Sequence, residues 1–254
     1  MLIVLSPAKS LNFEPQTITK KSTRPLFQAE TEMIAARMKQ MPASEIATLM
    51  SVSDKLASLN YERYQSWGKT AEKPKAAIFA FDGDVYDGLD AGSFTEEQVF
   101  SAQKKIRILS GLYGVLRPLD LIRPHRLEMG TKLDVGGCKN LYEFWGGKLT
   151  TEISKAVLQS GSNILLNLAS NEYFKSLDSK YFKSRLVSAE FKDLSNGSYK
   201  IVSFYAKRAR GLMTRFVLDH QIENPDDLKA FDSEGYRFSP GMSSENRLTF
   251  IRDH

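Results

Sequence analysis

Lys207, Arg208, Arg210 and Arg215 fall on a stretch whose other residues, Ala209, Leu212, Met213, Phe216, Val217 and His220, recur at helical spacing. The spacing predicts a helix over 205–222 with one buried stripe, His220 included, and a cationic opposite side. Three of the cations sit in the first two turns, where the helix dipole disfavours positive charge. A bound anion relieves that conflict, so the pattern points to phosphate contact.

A second cluster is built on glycine. Gly111 and Gly114 bracket Leu112-Tyr113, with Lys104, Lys105, Arg107 and Arg117 on either side and Arg123, His125 and Arg126 following. Such glycines permit a tight turn whose amides face outward, the geometry of a phosphate-cradling hairpin. With a capped helix before it and Pro118 at a favoured first helical position after it, the stretch resembles a helix-hairpin-helix element. It departs from that pattern in having two residues, not one, between the glycines.

Asp82, Asp84 and Asp87 follow a β-type run, Ala76–Phe81. Carboxylates there can hold a hard cation, and a metal-dependent enzyme acting on nucleic acid or nucleotides is the alternative they raise. The plainer reading is a polar turn with capping aspartates. Ser6-Pro7-Ala8-Lys9 fits the S-x-x-K pattern of acyl-transfer nucleophiles, but the partner motifs of that chemistry are missing, which leaves Lys9 and Lys55 as additional cations. The three histidines show no metal-ligand spacing, and no cofactor fingerprint is present, so no cofactor is expected.

Bulk properties narrow the class. The net charge is +5, and it is segregated: residues 104–126 carry a net +5 and residues 175–215 a net +7, leaving the remainder at −7. Segregated positive charge is the footprint of a polyanion binder. A lone cysteine, Cys138, and no export signal point to the cytoplasm. No apolar stretch approaches the roughly 20 residues of a membrane span.

These side chains must be positioned by mixed elements. Leu2–Leu5 reads as a buried strand ended by Ser6-Pro7. Helices are expected over about 26–40, from Ser44 as N-cap, from Ser53, and from Thr95, where Thr95 and Gln98 form a capping box. Asn140–Gln159 reads as a helix ended by Gly161, and Asn163–Leu168 as a strand. Leu186–Leu194 and Ser198–Phe204, joined by Ser195-Asn196-Gly197, form a hairpin, and 235–252 a second strand pair. Without strict βαβ alternation, the expectation is one α/β domain over 1–254, with a mixed sheet flanked by helices and not a standard doubly wound order.

The chain resembles the YaaA peroxide-stress family along almost its whole length. The resemblance rests on Ser6-Pro7-Ala8-Lys9, Ser53-Asp54-Lys55-Leu56-Ala57, Gly83-Asp84-Val85-Tyr86, Leu109 through Arg117-Pro118, and Arg126-Leu127-Glu128-Met129-Gly130. It rests further on Asn167-Leu168-Ala169-Ser170 with Glu172 through Ser176, and on Phe204-Tyr205-Ala206-Lys207 with Ala209 through Met213. It implies an α/β domain of unusual topology, a positively charged cleft, and a helix-hairpin-helix element that binds double-stranded or branched DNA. It also implies a role in resistance to hydrogen peroxide by limiting iron-driven DNA damage. By position, the hairpin maps to Gly111–Gly114 and the cationic groups to Lys9, Lys55, Arg107, Arg117, Arg126, Lys175, Lys207 and Arg210; charge adds Lys104, Arg208 and Arg215.

Overall fold

A computed structural model describes residues 1–16, 18–69 and 73–253. The chain opens with β1 (Leu2–Leu5) and β2 (Ser10–Leu11), then α1 (Gln28–Lys39), α2 (Ala43–Met50) and α3 (Asp54–Gln65). β3 (Lys75–Ala76), α4 (Ala77–Ala80), β4 (Phe81–Asp82), α5 (Asp84–Leu89) and α6 (Glu96–Lys105) lead to β5 (Ile106–Ser110), β6 (Gly114–Leu116) and β7 (Leu121–Ile122). α7 (Leu141–Trp145), α8 (Gly147–Gln159), β8 (Ile164–Asn167) and α9 (Asn171–Phe174) follow. The chain closes with β9 (Arg185–Ser195), β10 (Ser198–Lys200), α10 (Ser203–Asp219), β11 (Arg237–Phe238) and β12 (Arg247–Arg252).

The main sheet runs β11-β12-β9-β8-β1-β5-β6, with β10 paired to β9. β12, β9, β8, β1 and β5 are mutually parallel, whereas β6, β10 and β11 pair antiparallel. The sheet is therefore mixed, as expected. Its parallel part nevertheless corrects the expectation about order. Numbered along the chain, the five parallel strands lie 2-1-3-4-5, an order that doubly wound sheets use. The unusual feature is the first crossover, which carries α1 to α6 between β1 and β5. β1 is fully buried at the centre, as its uninterrupted Leu-Ile-Val-Leu run requires of an interior parallel strand.

Local chemistry explains most boundaries. Thr95 and Gln98 form the reciprocal capping box that starts α6, and Ser53 Oγ accepts from the Leu56 amide at the start of α3. Ser44 is not the N-cap of α2; Pro42 holds that position. Asn196 and Gly197 both adopt positive φ between β9 and β10, the requirement of a type I′ hairpin. Gly146, also at positive φ, divides the expected 140–159 helix into α7 and α8. Ala76–Phe81 is not one strand: the helical turn α4 separates β3, paired with β7, from β4, paired with β2.

Candidate functional site

The helix-hairpin-helix expectation is corrected first. Gly111–Tyr113 is the turn between two antiparallel strands, β5 and β6, and Gly111, Leu112, Tyr113 and Gly114 are all buried. Trp145 Nε1 donates to the Gly111 carbonyl at 2.9 Å. A Cβ at Gly111 would meet the Leu127 and Glu128 backbone, and one at Gly114 the ring of Trp145. These glycines serve close packing, and their amides do not face solvent. After Pro118 the chain turns into β7 and forms no helix.

In 2-1-3-4-5 sheets, ligands bind beyond the carboxyl ends of the strands where the order reverses, here between β1 and β8. The segments after those strands meet there. The Ser170 amide donates to Ser6 Oγ at 2.8 Å, and the Tyr86 hydroxyl donates to the Ser6 carbonyl at 3.1 Å. Lys9 Nζ lies 3.3 Å from Glu128, which also pairs with Arg126 at 2.9 Å. A Cβ on Gly83 would touch Ala8, which places the Gly83-Asp84 turn beside the β1 loop. Asp84 then meets Lys207 of α10 at 3.5 Å. Glu172 accepts from the Gly130 amide at 3.0 Å.

Three cations from distant parts of the chain thus lie on neighbouring segments at this end of the sheet, and three carboxylates, Asp84, Glu128 and Glu172, accompany them. This group of segments is of mixed charge and not uniformly positive. Hydroxyls of Ser6, Ser170 and Tyr86 meet close by. Burial, then the neighbouring Tyr173, pushes the Tyr86 phenol up; burial, then Glu172 and Glu128, does the same to Tyr173. Both remain neutral hydrogen-bonding groups. Beside them His125 is buried against Phe81 and Tyr113, and burial lowers its pKa to about 4.

The wall rests on a close helix contact. A Cβ on Gly88 of α5 would overlap the Arg208 carbonyl oxygen, and one on Gly211 of α10 the Val85 carbonyl oxygen. Only glycine lets these backbones approach so near. This contact fixes Asp84 and Lys207 opposite one another.

The other expected cations are dispersed. Lys104, Arg107 and Arg117 lie at the opposite end of the sheet, around a cavity shared with Met1 and α8. Arg117 pairs with the buried Asp120 at 2.8 Å. Arg208 pairs with Glu234; Arg215 pairs with Asp219 and lies over the Phe94 ring. Arg210 is largely desolvated in the field of Glu190, and burial lowers its pKa. Lys175 lines a groove with Tyr142 and Tyr181, and Lys55 is exposed in the first turn of α3. His220 is exposed at the C-cap of α10 and not part of the buried stripe. Lys9 faces Glu128 and not Ser6, so the S-x-x-K pair is not assembled.

The three aspartates do not converge either. Asp82 and Asp87 line a groove with Asp90 and Lys75, whereas Asp84 faces Lys207. Among the described residues no group of three or more His, Cys, Asp or Glu is placed to hold a metal. The sequence reading missed Ser170, Glu128, Glu172, Tyr86 and Tyr173 as site residues. Their one local signal was position, since Ser6 directly follows β1 and Ser170 stands three residues past the end of β8.

The fold defines a mostly parallel α/β protein with mixed-charge segments gathered at its strand-order switch. The profile of the family described as Peroxide stress protein YaaA matches residues 1–242, and the chain belongs to that family. It is 50% identical over 255 residues to a UPF0246 protein of Shewanella oneidensis, covering 100% of this chain and 99% of that one. A UPF0246 protein of Aliivibrio fischeri is 49% identical over 255 residues, covering 100% of this chain and 98% of its own. Among the described residues no helix is long and apolar enough to cross a membrane.

Proposed function

We propose that the protein binds double-stranded DNA without sequence specificity, through phosphates, and acts in the response to hydrogen peroxide. The peroxide role follows from family membership. The DNA reading is supported by one observation: Lys9, Arg126 and Lys207 gather at the switch crevice, and Lys9 and Lys207 keep 64% and 51% of their side chains exposed. Their carboxylate contacts are long, and exposed pairs of this kind contribute roughly 0–1 kcal/mol. A phosphate can therefore displace Asp84 or Glu128 at little cost. Exposed Lys55 and Lys175 add to the basic surface.

The matched carboxylates set the scale. Two or three phosphate contacts give a slope of log affinity against log salt of roughly −2 to −3, since each contributes about −0.9. Fluorescence anisotropy with a labelled duplex at several salt concentrations measures this, with a scrambled duplex and a branched junction alongside. Lys9→Glu with Lys207→Glu is expected to weaken binding to all duplexes alike. Equal affinity of the double variant and the parent would remove the crevice from the reading.

A second reading, an enzyme acting on nucleic acid or nucleotides, is favoured by Asp84, Glu128 and Glu172 standing beside buried hydroxyls at a strand-end crevice. It no longer draws on Asp82 or Asp87. Cleavage of a duplex or nucleotide with Mg²⁺ or Mn²⁺, lost in Asp84→Asn, would establish it.

A further inference from the structure

The other end of the sheet holds a different arrangement. Arg107 stands near the start of β5, only 8% exposed. Its Nη1 donates to the carbonyls of Gln103, Lys104 and Ile106. Two of these belong to the last turn of α6, so one corner of the guanidinium caps a helix C-terminus. That accounts for one nitrogen of three. Nε is buried and has no partner. Among the described residues Nη2 makes no hydrogen bond and no carboxylate lies within ion-pair distance of the group. The Nε–Nη2 edge, the one that grips oxyanions with two parallel hydrogen bonds, is thus unused.

Arg107 lines a cavity of about 390 Å³, within the roughly 300–1,000 Å³ typical of small-ligand sites. Lys104 and Arg117 line it too, and α8 contributes Gln159 at the rim. Arg117 Nε and Nη2 are held by Asp120 and the Arg24 carbonyl, which leaves Nη1 without a hydrogen bond among the described residues. The lining carboxylate, Glu223, is already engaged by Lys105 and the Met1 amine. Burial, followed by the proximity of Arg117, disfavours the charged form of Arg107, against the smaller opposing fields of Glu152 and Asp120. Four cationic side chains, Lys104, Lys105, Arg107 and Arg117, thus line a recess whose lining includes one carboxylate, Glu223.

We propose that this cavity binds the phosphate group of a small phosphorylated molecule, held by Arg107 Nη2, the nitrogen of the unused edge that is not sealed from solvent, and neutralised by Arg117 and Lys104. The recess decides the size class. A guanidinium this buried is out of reach of phosphates on a duplex backbone, but a free phosphate or diphosphate can enter. The site is separate from the DNA crevice and does not depend on it.

Calorimetric titration of the intact protein with inorganic phosphate and with pyrophosphate at low salt tests the assignment. Saturable binding of one equivalent is expected. Arg107→Lys, which keeps the charge but loses the fork, is expected to weaken it by roughly tenfold or more. Because Arg107 also caps α6, a variant that leaves the fold alone is needed. Gln159→Glu, on the exposed rim, places a carboxylate in the recess and is expected to weaken pyrophosphate binding while duplex binding is retained. Lys9→Glu with Lys207→Glu is expected to leave pyrophosphate binding unchanged. Absence of binding to the native protein, or unchanged binding in both Arg107→Lys and Gln159→Glu, would overturn the proposal. Binding of a 5′-phosphorylated oligonucleotide without binding of pyrophosphate would overturn the small-molecule assignment.

Discussion

The two ends of the central sheet treat positive charge in opposite ways. At the carboxyl ends of β1 and β8, each cation pairs with a carboxylate, and Lys9 and Lys207 remain more than half exposed. At the amino end, Arg107 is sunk beneath the surface with two nitrogens unbonded, while Glu223 and Asp120 are engaged by other cations. The first end is electrically balanced and adaptable, suited to a ligand that exchanges with surface partners. The second is unbalanced and rigid, suited to a ligand that completes it. Net charge alone does not separate these cases; burial and partner count do.

The strongest way to break the comparison is to force the crevice wall apart. Gly211→Val sets a branched side chain where even a Cβ would overlap the Val85 carbonyl. Overpacking against backbone is expected to cost about 3 kcal/mol or more, read as a lower urea midpoint. A native midpoint would mean that α5 and α10 are free to separate.

Acid should attack the same end. His125 is neutral in the fold, with its pKa lowered to about 4 against an ordinary 6.5. The unfolded chain therefore takes up a proton that the folded chain refuses. Stability is complete above pH 6.5 and falls as pH drops towards 4, by up to about 3 kcal/mol. His125→Gln should flatten that slope; an unchanged slope would place the sensitivity elsewhere.

A smaller effect sharpens the contrast in binding. Replacing Lys9 and Lys207 by alanine should lower the salt slope for duplex DNA by about two, while phosphate binding at Arg107 persists. The smallest effect concerns α6, which links the regions. Thr95→Ala removes the cap at its start and is expected to cost about 1 kcal/mol, measured by thermal melting. Arg107 still closes its far end, so the helix should persist by circular dichroism.

Local signals in the sequence were reliable where they act locally. The Thr95 box, the Ser53 cap and the Asn196-Gly197 turn each depend on a few adjacent residues and appear as read. The hairpin at Gly111–Gly114 misled because glycine marks close approach as well as anion cradling. The flanking Ile106-Arg107-Ile108-Leu109 and Val115-Leu116 were the better guide, since runs of that kind belong in strands. Ala76–Phe81 looked extended but is divided by α4, whose neighbours pair with the remote β2 and β7. The crevice itself was not legible. Glu128 and Glu172 acquire meaning only when the fold brings Glu128 beside Lys9 and Glu172 beside Gly130, and Arg208 and Arg210 are dispersed by the remote carboxylates their helix meets, whereas Arg215 pairs with Asp219 one turn along.

Asp84 and Lys207 each stand four residues ahead of the glycine at which their helices touch, Gly88 and Gly211. A helix turns by about 100° per residue. One residue added to or removed from either interval would leave the glycine contact intact and swing the charged group off the crevice. The two intervals act as a gauge of fixed length: the side chains at their far ends can be exchanged for others, but the count between charge and contact has no freedom to drift.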